Sequence, residues 1–249
     1  MSAPQFSQKT AVITGASRGL GAGMARDFAA RGMRLGLCSR TAPALPPSER
    51  VVCAQLDVAN RDAVEDFAEQ IFRRFGHVDL WINNAGVLGP VRFVHDLDGA
   101  ALLDHLRTNL VGVLHGSGAY VRRLRQTAAG GVLINISSGA ARRGYAGWGC
   151  YASGKAAVDR LTECVQEEER AYGLRAHAVA PGVIDTDMQT TIRALSEQQF
   201  PAVHKFHALK QREAFNSPAF VANELLRIAF DAQATPKSVV VRLANEKAD

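Results

Sequence analysis

Short apolar segments alternate with amphipathic segments along most of the chain. Segments 10–14 (TAVIT) and 131–136 (GVLINI) are short and bounded by turn residues, as buried strands are. Between such segments, apolar side chains recur at helical spacing, for example at Val64, Phe67 and Ile71, where Asn60 can cap the start of the helix. Strands alternating with helices form a parallel sheet covered on both faces, with right-handed crossovers. The alternation therefore predicts an α/β protein with a doubly wound parallel sheet of about seven strands, in a single domain over residues 1–249.

The composition and the residue patterns of the chain argue against several classes of partner. No apolar run approaches the ~20 residues of a membrane-spanning helix, and the N-terminus lacks the apolar core of a signal peptide. The short basic clusters at 122–125 and 142–143 carry no interleaved aromatic residues, and no histidines or cysteines stand at metal-ligand spacing. We expect a cytoplasmic protein whose partners include no membrane, nucleic acid or metal.

A glycine-rich turn, TGASRGLG, follows the first strand and precedes an amphipathic helix. Gly15, Gly19 and Gly21 would let backbone amides approach a pyrophosphate, and a helix N-terminus favours its negative charge. The alternative is a tight strand-to-helix turn without a ligand. The position of the turn favours a dinucleotide site, because ligands in such sheets bind at the carboxyl ends of the strands.

The end of the second strand indicates which dinucleotide binds. An NAD site usually places an acid there for the ribose 2′-hydroxyl, but this sequence reads LCSRT, with Arg40 and no acid. A guanidinium can bind a 2′-phosphate, and Arg18 in the glycine turn can add a second cation. Two solvent-facing arginines are the alternative. We predict NADP(H) as the cofactor.

Tyr151 and Lys155 are four residues apart in a predicted helix, so they share one face. A nearby ammonium stabilises a phenolate and lowers the pKa of the phenol, which makes tyrosine a better acid–base group. An exposed helical pair is the alternative. Polar residues also follow other strands: Ser138 after the fifth, NNAG (83–86) after the fourth and PGVIDT (181–186) after the sixth.

These motifs, together with Asn109 in a helix, resemble the short-chain dehydrogenase/reductase family over residues 9 to about 243. The resemblance implies a Rossmann-type sheet, a dinucleotide-binding half at about 9–135 and a catalytic half at about 136–249, with a lid at about 187–215. Its implied catalytic residues are Asn109, Ser138, Tyr151 and Lys155. Its implied cofactor-binding residues are Gly15, Ser17, Arg18, Gly19, Leu20, Gly21, Arg40, Asp57, Val58, Asn84, Ala85, Gly86, Tyr151, Lys155, Pro181, Gly182, Ile184 and Thr186.

The family pattern also implies roles. Tyr151 acts as the general acid for carbonyl reduction, and Ser138 hydrogen-bonds the carbonyl oxygen; the family's spacing selects Ser138 over Ser137. Lys155 tunes Tyr151 and binds the nicotinamide ribose, and Asn109 holds a water that links Lys155 to solvent. The helices around 106–124 and 151–172 are the family's usual contact surfaces, so a homodimer or homotetramer is expected.

Within the family, the tracts around Trp148 and Met188 are most similar to the branch that contains sepiapterin reductases and benzil reductases. Trp148 and Met188 would line the substrate pocket together with Ser138, although either could be core packing. Pterin-reducing members carry an aspartate in the last strand, where this chain has Arg242. The link between the second and third strands is short and rich in proline, so a helix of the usual cover is expected to be missing.

The predicted function is NADPH-dependent reduction of a ketone or vicinal dicarbonyl, a small-molecule substrate. Three alternatives stay open: an NADP-dependent alcohol dehydrogenase acting oxidatively, a sepiapterin-like pterin reductase, and a cofactor-binding sensor without catalysis.

Overall fold

A computed structural model describes residues 6–127 and 129–246. The two ends of the domain predicted over 1–249 thus lie outside the described residues. Seven strands form one parallel sheet in the order β3-β2-β1-β4-β5-β6-β7. They are β1 (Thr10–Thr14), β2 (Arg34–Ser39), β3 (Val51–Gln55), β4 (Leu80–Asn83), β5 (Gly131–Ile136), β6 (Leu174–Ala180) and β7 (Val240–Arg242). The predicted doubly wound parallel sheet is confirmed.

Helices cover both faces of the sheet. They are α1 (Gly19–Ala30), α2 (Arg61–Phe75), α3 (Gly99–Leu106), α4 (Gly112–Thr127), α5 (Gly149–Glu169), α6 (Asp187–Arg193), α7 (Val203–Gln211) and α8 (Pro218–Phe230). Side chains of α1 and α8 form one apolar core with the sheet, and those of α2, α4 and α5 form the other. None of the helices within the described ranges combines the length and the apolar character needed to span a membrane.

Local signals account for several element boundaries. The Asn60 side chain accepts a hydrogen bond from the Ala63 amide at 3.2 Å and so caps α2, as predicted. The link from β2 to β3 holds no helix, which confirms the expectation from its prolines. The helix predicted around 106–124 begins earlier, at Gly99, and a π-helical turn at Arg107–Val111 separates α3 from α4.

A third apolar cluster lies above the carboxyl ends of the strands, over the second half of the sheet. It joins Trp148 and Tyr151 to side chains of α6, α7 and the turn between them, including Phe200 and Phe206. The segment predicted as a lid at 187–215 is therefore two short helices packed on the start of α5.

Candidate active site

The glycine turn after β1 packs directly against the end of β4. Gly15 has φ of +68°, and a Cβ atom there would lie 2.7 Å from the Ala85 Cα. At Gly21 a Cβ would lie 2.2 Å from the Gly15 carbonyl oxygen. The Asn84 side-chain amide donates to the carbonyls of Thr14 at 2.9 Å and Gly15 at 3.2 Å. Side chains larger than hydrogen would break this turn, which begins α1 at the edge of the cavity.

The end of β2 presents a cation to the same cavity. Arg40 is exposed there, and no carboxylate pairs with it within the described ranges. Arg18 behaves differently, because its Nη1 lies 3.1 Å from Asp187 Oδ2 at the start of α6. Both of those side chains are 75% exposed, so the pair is weak and can exchange for another anion.

Tyr151 and Ser138 approach each other where β5 ends and α5 begins. Ser138 lies two residues after β5 in extended conformation, and its Oγ accepts from the Ala140 amide at 3.2 Å. Tyr151 lies in the first turn of α5 and is buried. Burial raises the pKa of Tyr151, whereas its hydrogen bond with Ser138 lowers it. The phenol is therefore protonated at neutral pH and able to donate.

Lys155 lies one turn further along α5 and is also buried. Its Nζ donates to the Ile136 carbonyl at 2.7 Å and stands 5.9 Å from the centroid of the Tyr151 ring. Burial lowers the pKa of Lys155 to about 8, against the opposing effect of Asp159. The expectation that Lys155 lowers the pKa of Tyr151 is not met in the protein alone, because burial raises that pKa and the ammonium group is directed to the end of β5.

Asn109 lies in the π-helical turn and is fully buried. Its Oδ1 accepts from the Val87 amide and its Nδ2 donates to the Val87 carbonyl, both at 2.8 Å. The second Nδ2 hydrogen is directed to His105 Nε2 at 2.9 Å. Asn109 thus holds the backbone that follows β4, behind the cavity rather than in its lining.

His105 is a polar site neighbour that the sequence analysis missed. Its Nδ1 lies 2.7 Å from the Gly89 carbonyl, so that nitrogen carries the proton and Nε2 accepts from Asn109. Burial, followed by the charge of Lys155, lowers the pKa of His105 and keeps the ring neutral. The available signal was its position four residues before Asn109, on the same helical face.

Asp159 is a second polar neighbour of the site that the sequence analysis missed. Its available signal was again a helical spacing, because it lies four residues after Lys155. It accepts a hydrogen bond from Ser137, and burial raises the pKa of this half-buried carboxyl. Both serines line the cavity, but the Ser137 hydroxyl donates to Asp159, whereas the Ser138 hydroxyl lies beside that of Tyr151.

One cavity of about 1520 Å³ runs along the carboxyl ends of the strands. It brings together every predicted site residue except Asn109. Those residues are Gly15, Ser17, Arg18, Gly19, Leu20, Gly21, Arg40, Asp57, Val58, Asn84, Ala85, Gly86, Ser138, Trp148, Tyr151, Lys155, Pro181, Gly182, Ile184, Thr186 and Met188. Among the described residues, no group of three His, Cys, Asp or Glu side chains could hold a metal ion.

The wall beyond Tyr151 is aromatic. Trp148 stacks on Phe200 with centroids 4.6 Å apart and lies 5.4 Å from the Tyr151 ring and 5.5 Å from Phe206. Trp148 is only 5% exposed, so it is chiefly a packing residue that contributes an edge to the cavity. Met188 is less buried and also lines it. A flat apolar ligand suits this wall.

The first half of the cavity fits a phosphorylated dinucleotide. The glycine turn leaves room for a close backbone approach, the N-terminus of α1 favours negative charge, and Arg40 is free to bind a further phosphate. At the other end of the groove, the Lys155 ammonium and the Tyr151 hydroxyl could hold the second ribose.

Comparisons with known proteins give a consistent set of relatives. A family model described as short chain dehydrogenase matches residues 9–197. Benzil reductase ((S)-benzoin forming) of Bacillus subtilis (strain 168) is 30% identical over 224 residues, which cover 87% of this chain and 91% of that protein. Cis-4-hydroxycyclohexanecarboxylate dehydrogenase of Sinomonas cyclohexanicum is 33% identical over 190 residues, which cover 74% of this chain and 76% of that one. The crystal structure of the KRED1-Pglu enzyme matches with a TM-score of 0.84 at 29% identity, covering 94% of this chain and 100% of that one.

Proposed function

This chain belongs to the short-chain dehydrogenase family, and from that membership we propose that it is an NADPH-dependent carbonyl reductase acting on a ketone or a vicinal dicarbonyl. The family makes it an oxidoreductase for carbonyl or alcohol groups. The observation that carries the finer proposal is the protonated, buried Tyr151 beside Ser138, between a dinucleotide-sized groove and an aromatic wall.

The residues divide the reaction between them. A bound dihydronicotinamide would supply a hydride to the carbonyl carbon. Ser138 donates a hydrogen bond to the carbonyl oxygen, where negative charge grows. Tyr151 gives its hydroxyl proton to the same oxygen, which completes the alcohol. The Ile136 carbonyl holds the Lys155 ammonium where it would bind the ribose. The same ammonium would stabilise the phenolate form of Tyr151 that remains after the proton transfer.

Asn109 supports this arrangement from behind. By binding both backbone groups of Val87, it holds the segment that includes Gly86 against the cavity. The Asn109 Oδ1 retains a lone pair, so a water bridge toward Lys155 remains compatible with these contacts.

Tyr151→Phe tests the proposed proton donor. We expect turnover with NADPH to fall by at least about a hundredfold, the usual effect of losing a general acid, while NADPH binding is retained. Binding is measured by the fluorescence of the nicotinamide on titration. Turnover that survives Tyr151→Phe would exclude Tyr151 as the donor, and a sensor without catalysis would show binding but no turnover in either protein.

NADPH preference is proposed from Arg40. Arg40→Asp should reduce the affinity for NADPH by about tenfold or more, because a charge-assisted contact with the 2′-phosphate becomes a repulsion. NADH affinity should change little, which makes NADH the internal control. Equal use of NADH and NADPH by the unaltered protein would contradict the preference.

The dicarbonyl substrate is proposed from the aromatic wall and from the named benzil reductase relative. A pterin needs a buried acceptor for its ring NH and amino groups, and each group left unpaired costs roughly 1–3 kcal/mol. The acids that line the described cavity are Asp57, near the adenosine end, and Asp187, which pairs with Arg18. We expect benzil or phenylpropanedione to have the higher kcat/KM. A higher value for sepiapterin would establish the pterin alternative.

Oxidative use of the same site is the second candidate, favoured by the similarity to a hydroxycyclohexanecarboxylate dehydrogenase. The two directions share every residue, so the substrates decide between them: turnover of an alcohol with NADP⁺, but of no ketone or diketone with NADPH, would favour the oxidative candidate. We further propose a cytoplasmic homodimer or homotetramer, with residues 187–215 acting as the lid.

A further inference from the structure

The substrate half of the cavity is lined by cations. They come from the loop after Ser138, from α7 and the residue that follows it, and from the end of β7. They are Arg142, Arg143, Lys205, Arg212 and Arg242. All five are exposed, and none forms an ion pair with a carboxylate inside the described ranges. Arg143 instead contacts Tyr145, with Nε 2.8 Å from the phenol oxygen.

The other arginine and lysine of the segment 187–215, Arg193 and Lys210, are paired with a carboxylate. Asp185 accepts from both Arg193 at 3.0 Å and Lys210 at 2.6 Å, which lowers the pKa of that carboxyl. Lys210 lies on the same helix as Lys205, yet it has a partner. The positive charge left unpaired in this part of the molecule is therefore the charge that lines the cavity.

One face of α7 shows how these charges are arranged. The cavity is lined by Lys205, Phe206 and Leu209 of α7 and by Arg212, the residue that follows it. The last three lie one, four and seven residues after Lys205. Lys205 and Arg212 are thus about 10 Å apart along the helix axis, with two apolar side chains between them. Phe206 packs on Trp148, so the apolar middle of this face continues into the aromatic wall. A ligand that matches this face has an apolar body and a negatively charged end.

The 2′-phosphate proposed to bind Arg40 does not account for Arg142 or Arg242. Arg40 follows β2, whereas Arg142 follows β5 and Arg242 ends β7. The strand order places β5 three strands and β7 five strands away from β2, which is about 14 Å and 24 Å at the usual strand spacing. Arg142 and Arg242 therefore lie far across the sheet from the adenosine end.

We infer that the natural carbonyl substrate carries an oxyanion, such as a carboxylate, which the combined field of these five cations attracts and holds at the mouth of the cavity while the carbonyl lies against Tyr151. The inference rests on the proposed reductase function and adds the charge of the substrate. Guanidinium groups bind carboxylates in matched geometry, and an electrostatic field of this kind attracts any oxyanion.

The test compares 4-carboxybenzil with its methyl ester, which share the diketone and differ in charge. With saturating NADPH, we expect kcat/KM for the acid to exceed that for the ester by about tenfold at low salt, because several cations act together. Raising the ionic strength should remove most of this preference, since exposed charges are screened.

Arg212→Gln and Arg242→Gln should each lower the acid-to-ester ratio by about twofold, the size expected for one exposed charge among five. Arg73→Gln is the matched control, because Arg73 is an exposed cation of α2 that does not line the cavity. The KM for NADPH is measured in each variant. An unchanged ratio, or a rise in the KM for NADPH that explains the loss for both substrates alike, would overturn the inference.

Calorimetric titration of the NADP⁺-loaded protein separates this inference from the proposed function. If the acid binds more tightly than the ester and Arg212→Gln reduces the difference while Arg73→Gln does not, the oxyanion site stands even when neither diketone is reduced. If both diketones are reduced and bind alike, the reductase stands and the oxyanion site is rejected.

Discussion

Burial governs the chemistry of individual residues in this site. It raises the pKa of Tyr151 and lowers that of Lys155 to about 8, so both groups are shifted toward their neutral forms. A neutral phenol can donate a proton at once, which suits carbonyl reduction. The phenolate that remains needs a nearby positive charge, and Lys155 is the cation closest to that role in the buried part of α5.

The same burial makes the charged form of Lys155 less favourable in the folded state than in the unfolded chain. Because its pKa is lower in the folded state, the unfolded chain binds an extra proton between about pH 8 and 10.5. The contribution of Lys155 to the free energy of unfolding should therefore rise through this interval, and below pH 8 the buried charge costs about 3 kcal/mol. Cys38, whose pKa burial raises to about 12, contributes in the opposite direction above pH 9, so the effect of Lys155 is read from the difference between a Lys155 variant and the unaltered protein.

Lys155→Met should abolish turnover and flatten this rise, leaving the variant at least as stable as the unaltered protein at pH 7. Urea unfolding at several pH values between 7 and 10 measures both effects. Lys237→Met, at an exposed lysine, is the control and should keep the rise. A rise that persists in Lys155→Met would assign it to another group.

At the scale of elements, α6 and α7 shape the substrate half of the site. They have few turns and little backbone bonding of their own, and they are held by the cluster around Trp148. Phe200, in the turn between them, is fully buried and stacks on the Trp148 indole. The position of the lid thus depends on aromatic packing rather than on helix propensity.

Phe200→Ala should destabilise the protein by about 3–5 kcal/mol, as a large-to-small change in a core does, and should raise the KM for the diketone. The dissociation constant of NADPH should stay the same, because the glycine turn lies in the other half of the cavity. Phe67→Ala, in the core under α2, is the matched control: we expect a similar loss of stability without a change in KM. Equal KM changes in both variants would show that Phe200 has no specific role in the lid.

At the scale of the whole molecule, apolar side chains are exposed on α3, on α4 and just after α5. Leu103 is 64% exposed, Leu114 50% and Tyr172 49%. Burying such side chains against a second copy is favourable by about 25 cal/mol per Å² of apolar area. Leu114 and Tyr172 lie within the two surfaces, around 106–124 and 151–172, that the family resemblance assigned to subunit contacts, and Leu103 lies on the helix just before the first of them.

Light scattering at micromolar concentration should therefore give two or four times the chain mass of 26.8 kDa. Leu103→Glu combined with Leu114→Glu should shift the mass toward a monomer, because a buried unpaired charge opposes association. Arg73→Gln provides a surface change outside these helices and should keep the oligomer. A monomer mass for the unaltered protein would reject the proposal.

Much of this protein follows from local sequence signals. The alternation of strands and helices predicted the sheet, the prolines of the β2–β3 link predicted the missing helix, and Asn60 predicted the start of α2. These features depend on residues close together in the chain, where turn chemistry and hydrophobic period act directly. The four-residue spacing of Tyr151 and Lys155 also placed both on one helix face, although it did not show that Lys155 is directed to the Ile136 carbonyl.

Tertiary structure decided what distant segments do together. The π-helical turn positions Asn109 on Val87, a contact between residues 22 positions apart that no helical or strand period indicates. Burial, which depends on the whole fold, reversed the expected direction of the Tyr151 pKa shift. The cationic mouth joins residues from the β5 loop, α7 and β7, separated by up to a hundred positions along the chain. Packing of the lid on Trp148 brings α7 to the β5 loop, because the aromatic cluster can be buried only when these segments meet, and pairing with β6 holds β7 beside them.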